Sequence, residues 1–203
     1  MARDPRREQV LDAAARLFAR NGYAATSVRR LAHEAGFTKA GLYYHVRGKE
    51  DLLEAICAES IEAILEEVER AVAGSAEPAE QLAAVIGAHV GFFHQRPERL
   101  TVLNLEMRRL SAPRRRKIVR LERRYLAALR GVLARGMDAG ALARLDPTVS
   151  AFMLLSMVNG LNAWYDPKGR VDGDALIAHV QRIYLRGIVA RAGRRRHAEN
   201  RAA

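Results

Sequence analysis

Apolar residues recur at helical spacing through almost the whole chain, and no alternating run is long enough to predict a strand. Over residues 6–20, Val10, Ala14, Leu17 and Phe18 share one side while arginines take the other, and Asn21-Gly22 predicts the stop. Val28, Leu31, Ala32 and Ala35 mark a short second helix, which Thr26 or Ser27 can cap. Gly36 follows where the chain must turn sharply and positive φ is needed. Phe37 can plug the gap, and Thr38 can cap a third short helix running to Tyr44 or His45. Two short helices joined by a glycine-containing turn make a helix-turn-helix, whose second helix is shaped to enter a DNA major groove.

From Lys49 the pattern Leu52, Leu53, Ile56, Ile61, Ile64, Leu65 and Val68 predicts a long helix to about Val72, joining this small head to everything beyond it. Residues 74–78 read as a loop, and further helices are predicted over 81–95, 98–110, 113–133, 147–165 and 174–190. Pro97 ends the first of these, Gly136 and Gly140 close the region after the third, and Asp146-Pro147 pairs a cap with a proline start. The expected architecture is all-α with about nine helices: a helix-turn-helix head over residues 1–48, a helical ligand-binding and dimerisation bundle over 49–192, and a basic tail over 193–203. The stretch from Pro147 to Tyr165 is apolar almost all the way round, so every side needs cover. One side can meet the chain's own core and the other a second subunit, with Met157, Leu161, Val180, Ile183 and Gly187 as interface candidates. A central core helix in a monomer is the competing reading.

From Arg7 to Leu53 the chain resembles the DNA-binding domain of the TetR family of bacterial transcriptional regulators. Val10, Ala14, Leu17, Phe18, Gly22 and Tyr23 carry the resemblance, then Thr26, Val28, Leu31, Ala32, Ala35 and Gly36, then Leu42, Tyr43, His45, Lys49, Glu50 and Leu52. The chain departs from the family's usual pattern at Arg30, at Ala40-Gly41 and at Val46. The resemblance implies a homodimer on a double-stranded DNA operator. It also implies Tyr43 and Lys49 as backbone-phosphate contacts, with Ser27 and Arg29 anchoring the first helix of the motif. A shorter resemblance, at residues 164–169 and 186–188, is to TetR-like regulators of fatty-acid and sterol breakdown.

Composition sharpens the functional reading. Lys and Arg number 34 against 23 Asp and Glu, a net charge of +11, which suits a polyanionic partner. Thr38 and Lys39 stand at the start of the reading helix, placed for phosphate or guanine, while Tyr44 and His45 can meet phosphates or thymine methyls. The single cysteine, Cys57, excludes an intramolecular disulfide and fits a cytoplasmic protein; its sequence neighbours Glu54 and Glu59 would raise a thiol pKa. The N-terminus has no apolar signal region, and the apolar run 149–164 is too short and too polar to span a membrane.

His89 and His94 are five apart, so they do not share a helix face, and no metal is implied. No phosphate-binding glycine loop or nucleophile elbow is present, so neither an enzyme nor a cofactor is indicated. A small-molecule effector is indicated instead. Phe92, Phe93, Leu103, Met107, Phe152, Met153, Met157 and Trp164 can line an apolar cavity, and would serve equally as plain core. Arg108, Arg109, Arg114, Arg115, Arg116, Lys117, Arg120, Arg123 and Arg124 form either a solvated face or an anion-binding mouth to that cavity, suited to an acyl-coenzyme A. The expected function is a repressor released from a palindromic operator by such a ligand. A non-specific architectural DNA-binding dimer is the alternative.

Overall fold

Side-chain caps and prolines start most of the helices in the computed structural model of the chain, which describes residues 4–75 and 77–188. Helix α1 (Pro5–Asn21) opens under the Asp4 carboxylate, which accepts from the Arg6 N–H at 3.0 Å. It stops where Gly22 swings to φ 79°. Helices α2 (Val28–Glu34) and α3 (Lys39–His45) are capped by Ser27 and Thr38, whose hydroxyls accept from the N–H groups of Arg30 and Gly41. Gly36, at φ 73°, makes the turn between them, and the Phe37 N–H returns to the Ala32 carbonyl at 2.8 Å.

The remaining helices are α4 (Lys49–Gly74), α5 (Pro78–Gln95), α6 (Pro97–Glu106), α7 (Ala112–Asp138), α8 (Pro147–Asn159) and α9 (Gly173–Ile188). Single 3-10 turns follow α6, at Met107–Arg109, and α8, at Gly160–Ala163. Among the described residues no strand occurs, as the periodicity predicts. Helix α4 is the axis: it packs on α1 at its start and on α5, α6 and α7 along its length, while α9 covers α5 and α8 covers α7. Its buried face supplies Ile56, Ile64 and Val68 to a core completed by Val85, Ile86 and Phe93 from α5 and Ile118, Leu129 and Leu133 from α7.

Several boundaries differ from the sequence expectation for local reasons. Pro78, read as the end of a loop, is the first residue of α5, and Pro97 both closes that helix and opens the next. Proline has no N–H to lose at a helix start. Gly136 does not stop α7; it lies inside the helix because Leu142 folds back over it. A Cβ there would sit 2.6 Å from Leu142 Cδ1. The stop is Gly140, at φ 73°. Helix α8 ends at Asn159, short of Tyr165, tightening into the 3-10 turn at Gly160, a poor helix former. The expected tail over 193–203 lies outside the described residues.

Helix α6 joins the head to the bundle through a buried arginine. Arg99 is 3% exposed; it donates to Asp12 Oδ1 and Glu8 Oε1 of α1, both at 2.9 Å, and lies 4.0 Å from Glu59 of α4. Arg96, just before α6, adds a 2.7 Å bond to Glu8, and Arg7 of α1 pairs with Glu59. A second tie runs from the start of α4 to the start of α7. Glu50 accepts from the Ser111 N–H at 2.7 Å, a bond that holds its carboxyl below the usual carboxylate range, and Arg114 pairs with Glu50, Asp51 and Glu54.

Removing the buried partner of two carboxylates is costly, whereas exposed pairs contribute little. Arg99→Met is therefore expected to lower stability by about 1–3 kcal/mol. Arg124→Ala, which loses only the exposed pair with Glu69, should change it by less than about 0.5 kcal/mol. Urea denaturation of the two variants checks the difference, and equal midpoints would show that Arg99 does not hold the head.

Candidate DNA-reading surface and effector cavity

In the head, the buried residues Leu31, Ala32, Ala35 and Leu42 hold α2 against α1 and α3 against α2, so the polar sides of both short helices face outward. Lys39, Arg29, Arg30, Ser27 and Thr38 are exposed, Tyr43 is 45% exposed and Tyr44 is 88% exposed. An 88% exposed tyrosine beside a lysine and arginines is a surface built for contact with something outside the chain. The His45 side chain lies outside the described residues. Gly41 of α3 sits over Phe37 and Thr38, where a Cβ would approach Thr38 Oγ1 to 3.3 Å. A small residue there lets the turn close tightly.

Lys49 departs from the role that the resemblance implies. Its ammonium donates to the carbonyls of Tyr23 at 2.8 Å, Thr26 at 3.0 Å and Ala24 at 3.4 Å, and lies 4.3 Å from the centre of the Tyr23 ring. All three of its protons have acceptors inside the chain. It fastens the α1–α2 connection to the start of α4, and a phosphate would have to compete for those bonds. Thr26 is buried and donates to the Gly22 carbonyl at 2.9 Å, leaving the α2 cap to Ser27.

The bundle holds a cavity of about 310 Å³ among five helices. Its walls are Ile61 and Ile64 of α4, His89 of α5, Leu100, Leu103 and Asn104 of α6, Val119, Glu122, Arg123, Tyr125 and Leu126 of α7, and Phe152, Leu155 and Asn159 of α8. Two of the eight residues put forward from sequence, Leu103 and Phe152, lie here. Phe93 is buried core, Phe92 lines a separate groove near Arg96 and Arg99, and Met107 packs against the core. Met153 is 62% and Trp164 69% exposed, and neither lines the cavity. Helical spacing says which residues share a face but not which neighbour that face meets.

The polar groups of the cavity were not foreseen. His89 Nδ1 lies 2.8 Å from the Tyr125 hydroxyl, and Nε2 has no hydrogen-bond partner among the described residues. Burial pushes the His89 pKa down to about 4 and raises that of Tyr125, so both stay neutral. Glu122 is half-buried, and its desolvation raises its carboxyl. The one available signal was His89 itself, on the apolar face of α5 between Ile86 and Val90. Cys57 is buried and inert, its thiol pushed up to about 12 by desolvation; the carboxylate adding to that shift is Glu122 of α7, not Glu54 or Glu59.

The arginine run divides in two. Arg114 and Lys117 are engaged with α4 carboxylates, Arg124 pairs with Glu69, and Arg109 lies near Glu106. Arg108 and Arg115 are exposed. Arg116, Arg120 and Arg123 are also exposed and share one helical stripe, of which Arg123 lines the cavity.

Helices α8 and α9 leave an apolar face uncovered: Val149, Met153 and Ile183 are 56%, 62% and 64% exposed, with Met157 and Gly187 beside them. Leu161 and Val180, put forward for the same face, are buried within the chain's own core at 1% and 5%. Among the described residues no helix is long and apolar enough to cross a membrane.

Comparison with known proteins agrees with this layout. Residues 10–56 match the family described as bacterial regulatory proteins, tetR family, and residues 75–188 match the tetracyclin repressor-like C-terminal domain. The chain is 28% identical over 186 residues to the fatty acid metabolism regulator protein of Bacillus subtilis, covering 91% of this chain and 96% of that one. It is similar in structure to PfmR, a TetR family transcriptional regulator from Thermus thermophilus. That match has a TM-score of 0.81 and 30% identity over 87% of this chain and 97% of the other. AibR, crystallised in complex with isovaleryl coenzyme A and operator DNA, matches with a TM-score of 0.78 and 29% identity, over 88% of this chain and 97% of AibR. With both halves matched and the helix-turn-helix and bundle in place, the chain belongs to the TetR family and is a DNA-binding transcriptional regulator rather than an enzyme.

Proposed function

We propose that the protein is a dimeric repressor that reads a palindromic operator with α3 and is released when an acyl-coenzyme A ester enters the bundle cavity. The observation that carries this reading is the double role of α6. Leu100, Leu103 and Asn104 face the cavity, while Arg99, on the same helix, grips the head through Glu8 and Asp12. A ligand that displaces α6 changes how the heads are held. The spacing of two heads about one DNA turn apart is what a palindrome measures. The effect requires that the ligand bind the displaced state more tightly than the DNA-bound state.

The acyl-coenzyme A class is supported by two features side by side, an apolar cavity for the chain and the Arg116, Arg120 and Arg123 stripe for phosphates. That AibR was crystallised with isovaleryl coenzyme A and that the Bacillus subtilis relative regulates fatty acid metabolism point the same way. An architectural DNA binder would need no cavity within its bundle. The head is residues 1–48, with Ser27, Arg29, Thr38, Lys39, Tyr43, Tyr44 and His45 as its DNA contacts and Lys49 as its internal fastener. Subunits meet through the α8–α9 face, where Val149, Met153, Met157, Ile183 and Gly187 would be covered.

For the reading surface, Lys39→Ala and Tyr44→Ala are each expected to weaken operator binding by roughly 1–3 kcal/mol. Binding to scrambled DNA should fall less, as fluorescence anisotropy on the two duplexes would show; equal losses would reduce both residues to phosphate contacts. For the interface, Ile183→Glu should yield folded monomers in sedimentation, because that side chain is exposed in the single chain. Leu161→Glu should instead unfold the protein, placing an unpaired charge in its own core. A dimeric Ile183→Glu variant would move the interface elsewhere. For the effector, reversing Arg116 and Arg123 to Glu is expected to abolish release of the operator by acyl-coenzyme A esters. Operator affinity should stay within about twofold, since neither residue is in the head. Release by uncharged or cationic compounds only, in the unmodified protein, would overturn the ligand class.

A further inference from the structure

His89, a residue of the cavity wall, carries the one buried side-chain polar atom among the described residues that has no hydrogen-bond partner, its Nε2. An orphaned polar group on the wall of an apolar cavity is costly unless something else supplies its partner. Which partner it wants follows from its neighbour. The Tyr125 hydroxyl lies 2.8 Å from His89 Nδ1, and no other bond of that hydroxyl exists among the described residues. Were Nδ1 the donor, two groups would be stranded: the phenol proton and the Nε2 lone pair. With Tyr125 Oη–H donating to Nδ1, only one remains, an Nε2–H donor.

Burial keeps the imidazole neutral, at about 4, and the phenol protonated. His89 itself therefore brings no positive charge to the cavity. Arg123, the one Lys or Arg in its lining, is an exposed residue, and Glu122 adds a half-buried carboxyl. A free carboxylate drawn beside His89 would lose its hydration without gaining a cation. A carbonyl oxygen loses little and accepts the waiting N–H. Asn104 and Asn159, the other polar lining side chains, hydrogen-bond to each other at 3.4 Å.

We infer that His89, oriented by Tyr125, is the specificity-determining residue of the effector cavity, donating Nε2–H to the carbonyl oxygen of an uncharged acyl group, a thioester, ester or ketone. The inference rests on the cavity being the effector site, but not on the effector being a coenzyme A ester. It makes the cavity select for a carbonyl placed within an apolar chain, and select against both the carbonyl-free analogue and the free acid.

Two matched pairs of probes test it on the full chain by titration calorimetry: octanoyl-coenzyme A against the S-octyl thioether of coenzyme A, and 2-undecanone against undecane. The carbonyl member of each pair should bind the unmodified protein about tenfold more tightly. His89→Leu should bring the two members within about twofold, and Tyr125→Phe should shrink the preference by freeing the imidazole to turn. Nitrogen NMR of histidine-labelled protein gives a second readout that needs no variant. It should show His89 as the Nε2–H tautomer, with a shift on adding only the carbonyl probes. Equal binding within both pairs, or an Nδ1–H tautomer, would overturn the role of His89 while leaving the cavity as the effector site. A silent coenzyme A pair with a discriminating ketone pair would overturn the acyl-coenzyme A reading and sustain this one. No binding of any of the four probes would overturn the effector cavity and this inference together.

Discussion

A single buried guanidinium holds the two halves of this protein in register. Arg99 lies between α1 of the head and α4 of the bundle, almost wholly out of water, with carboxylates of both within reach. A buried charge keeps its position because leaving its partners costs far more than shifting a packed apolar side chain. The helix that carries it, α6, has the cavity on its other side. A change that moved α6 would carry Arg99 with it and, through Glu8 and Asp12, pull on α1. In the proposed function this link is what would turn a packing change in an apolar space into a displacement of the DNA-reading surface.

The cavity itself is mainly apolar, with polar groups on particular helices. Helices α4 and α6 contribute Ile61, Ile64, Leu100 and Leu103, while α5 and α7 contribute His89 and Tyr125. Charge on α7 is sorted by the same geometry. Arg114 and Lys117 turn towards the carboxylates of α4, whereas Arg123 lines the cavity. The angle around the axis of this one basic helix decides which residues pair with α4 and which do not. A run of arginines in a sequence cannot be read as one patch.

The head shows the same principle at smaller scale. Lys49 looks like a surface cation, yet three carbonyls between α1 and α2 take its protons. Those carbonyls cluster because the chain turns between Gly22 and Ser27, and a cation at the first residue of α4 reaches them. The three short helices cannot bury enough surface to be stable alone, so α4 supplies both their missing apolar wall, through Leu52, Leu53 and Ile56, and this fastener.

Whatever depends on neighbours within about four residues was legible in the sequence. Caps at Ser27, Thr38 and Asp146, the glycine turn at Gly36, the proline start at Pro147 and the helical period all act through short-range backbone bonds. Together they specified an all-α chain with a helix-turn-helix head. Pro78 is a local start signal that also suits the end of a loop, but Gly136 was decided elsewhere: it stays helical because a leucine beyond the turn packs on it. The candidate site was less legible than the fold. An apolar face can be seen in one helix, but whether it meets a core, a cavity or solvent depends on a partner far along the chain; hence Leu103 and Phe152 line the cavity while Met153 and Trp164 are left exposed. Nothing near Arg99 in sequence announces Glu8 and Asp12, and nothing near His89 announces Tyr125. Those pairings belong to the tertiary structure, because burial and electrostatics are properties of distance in space.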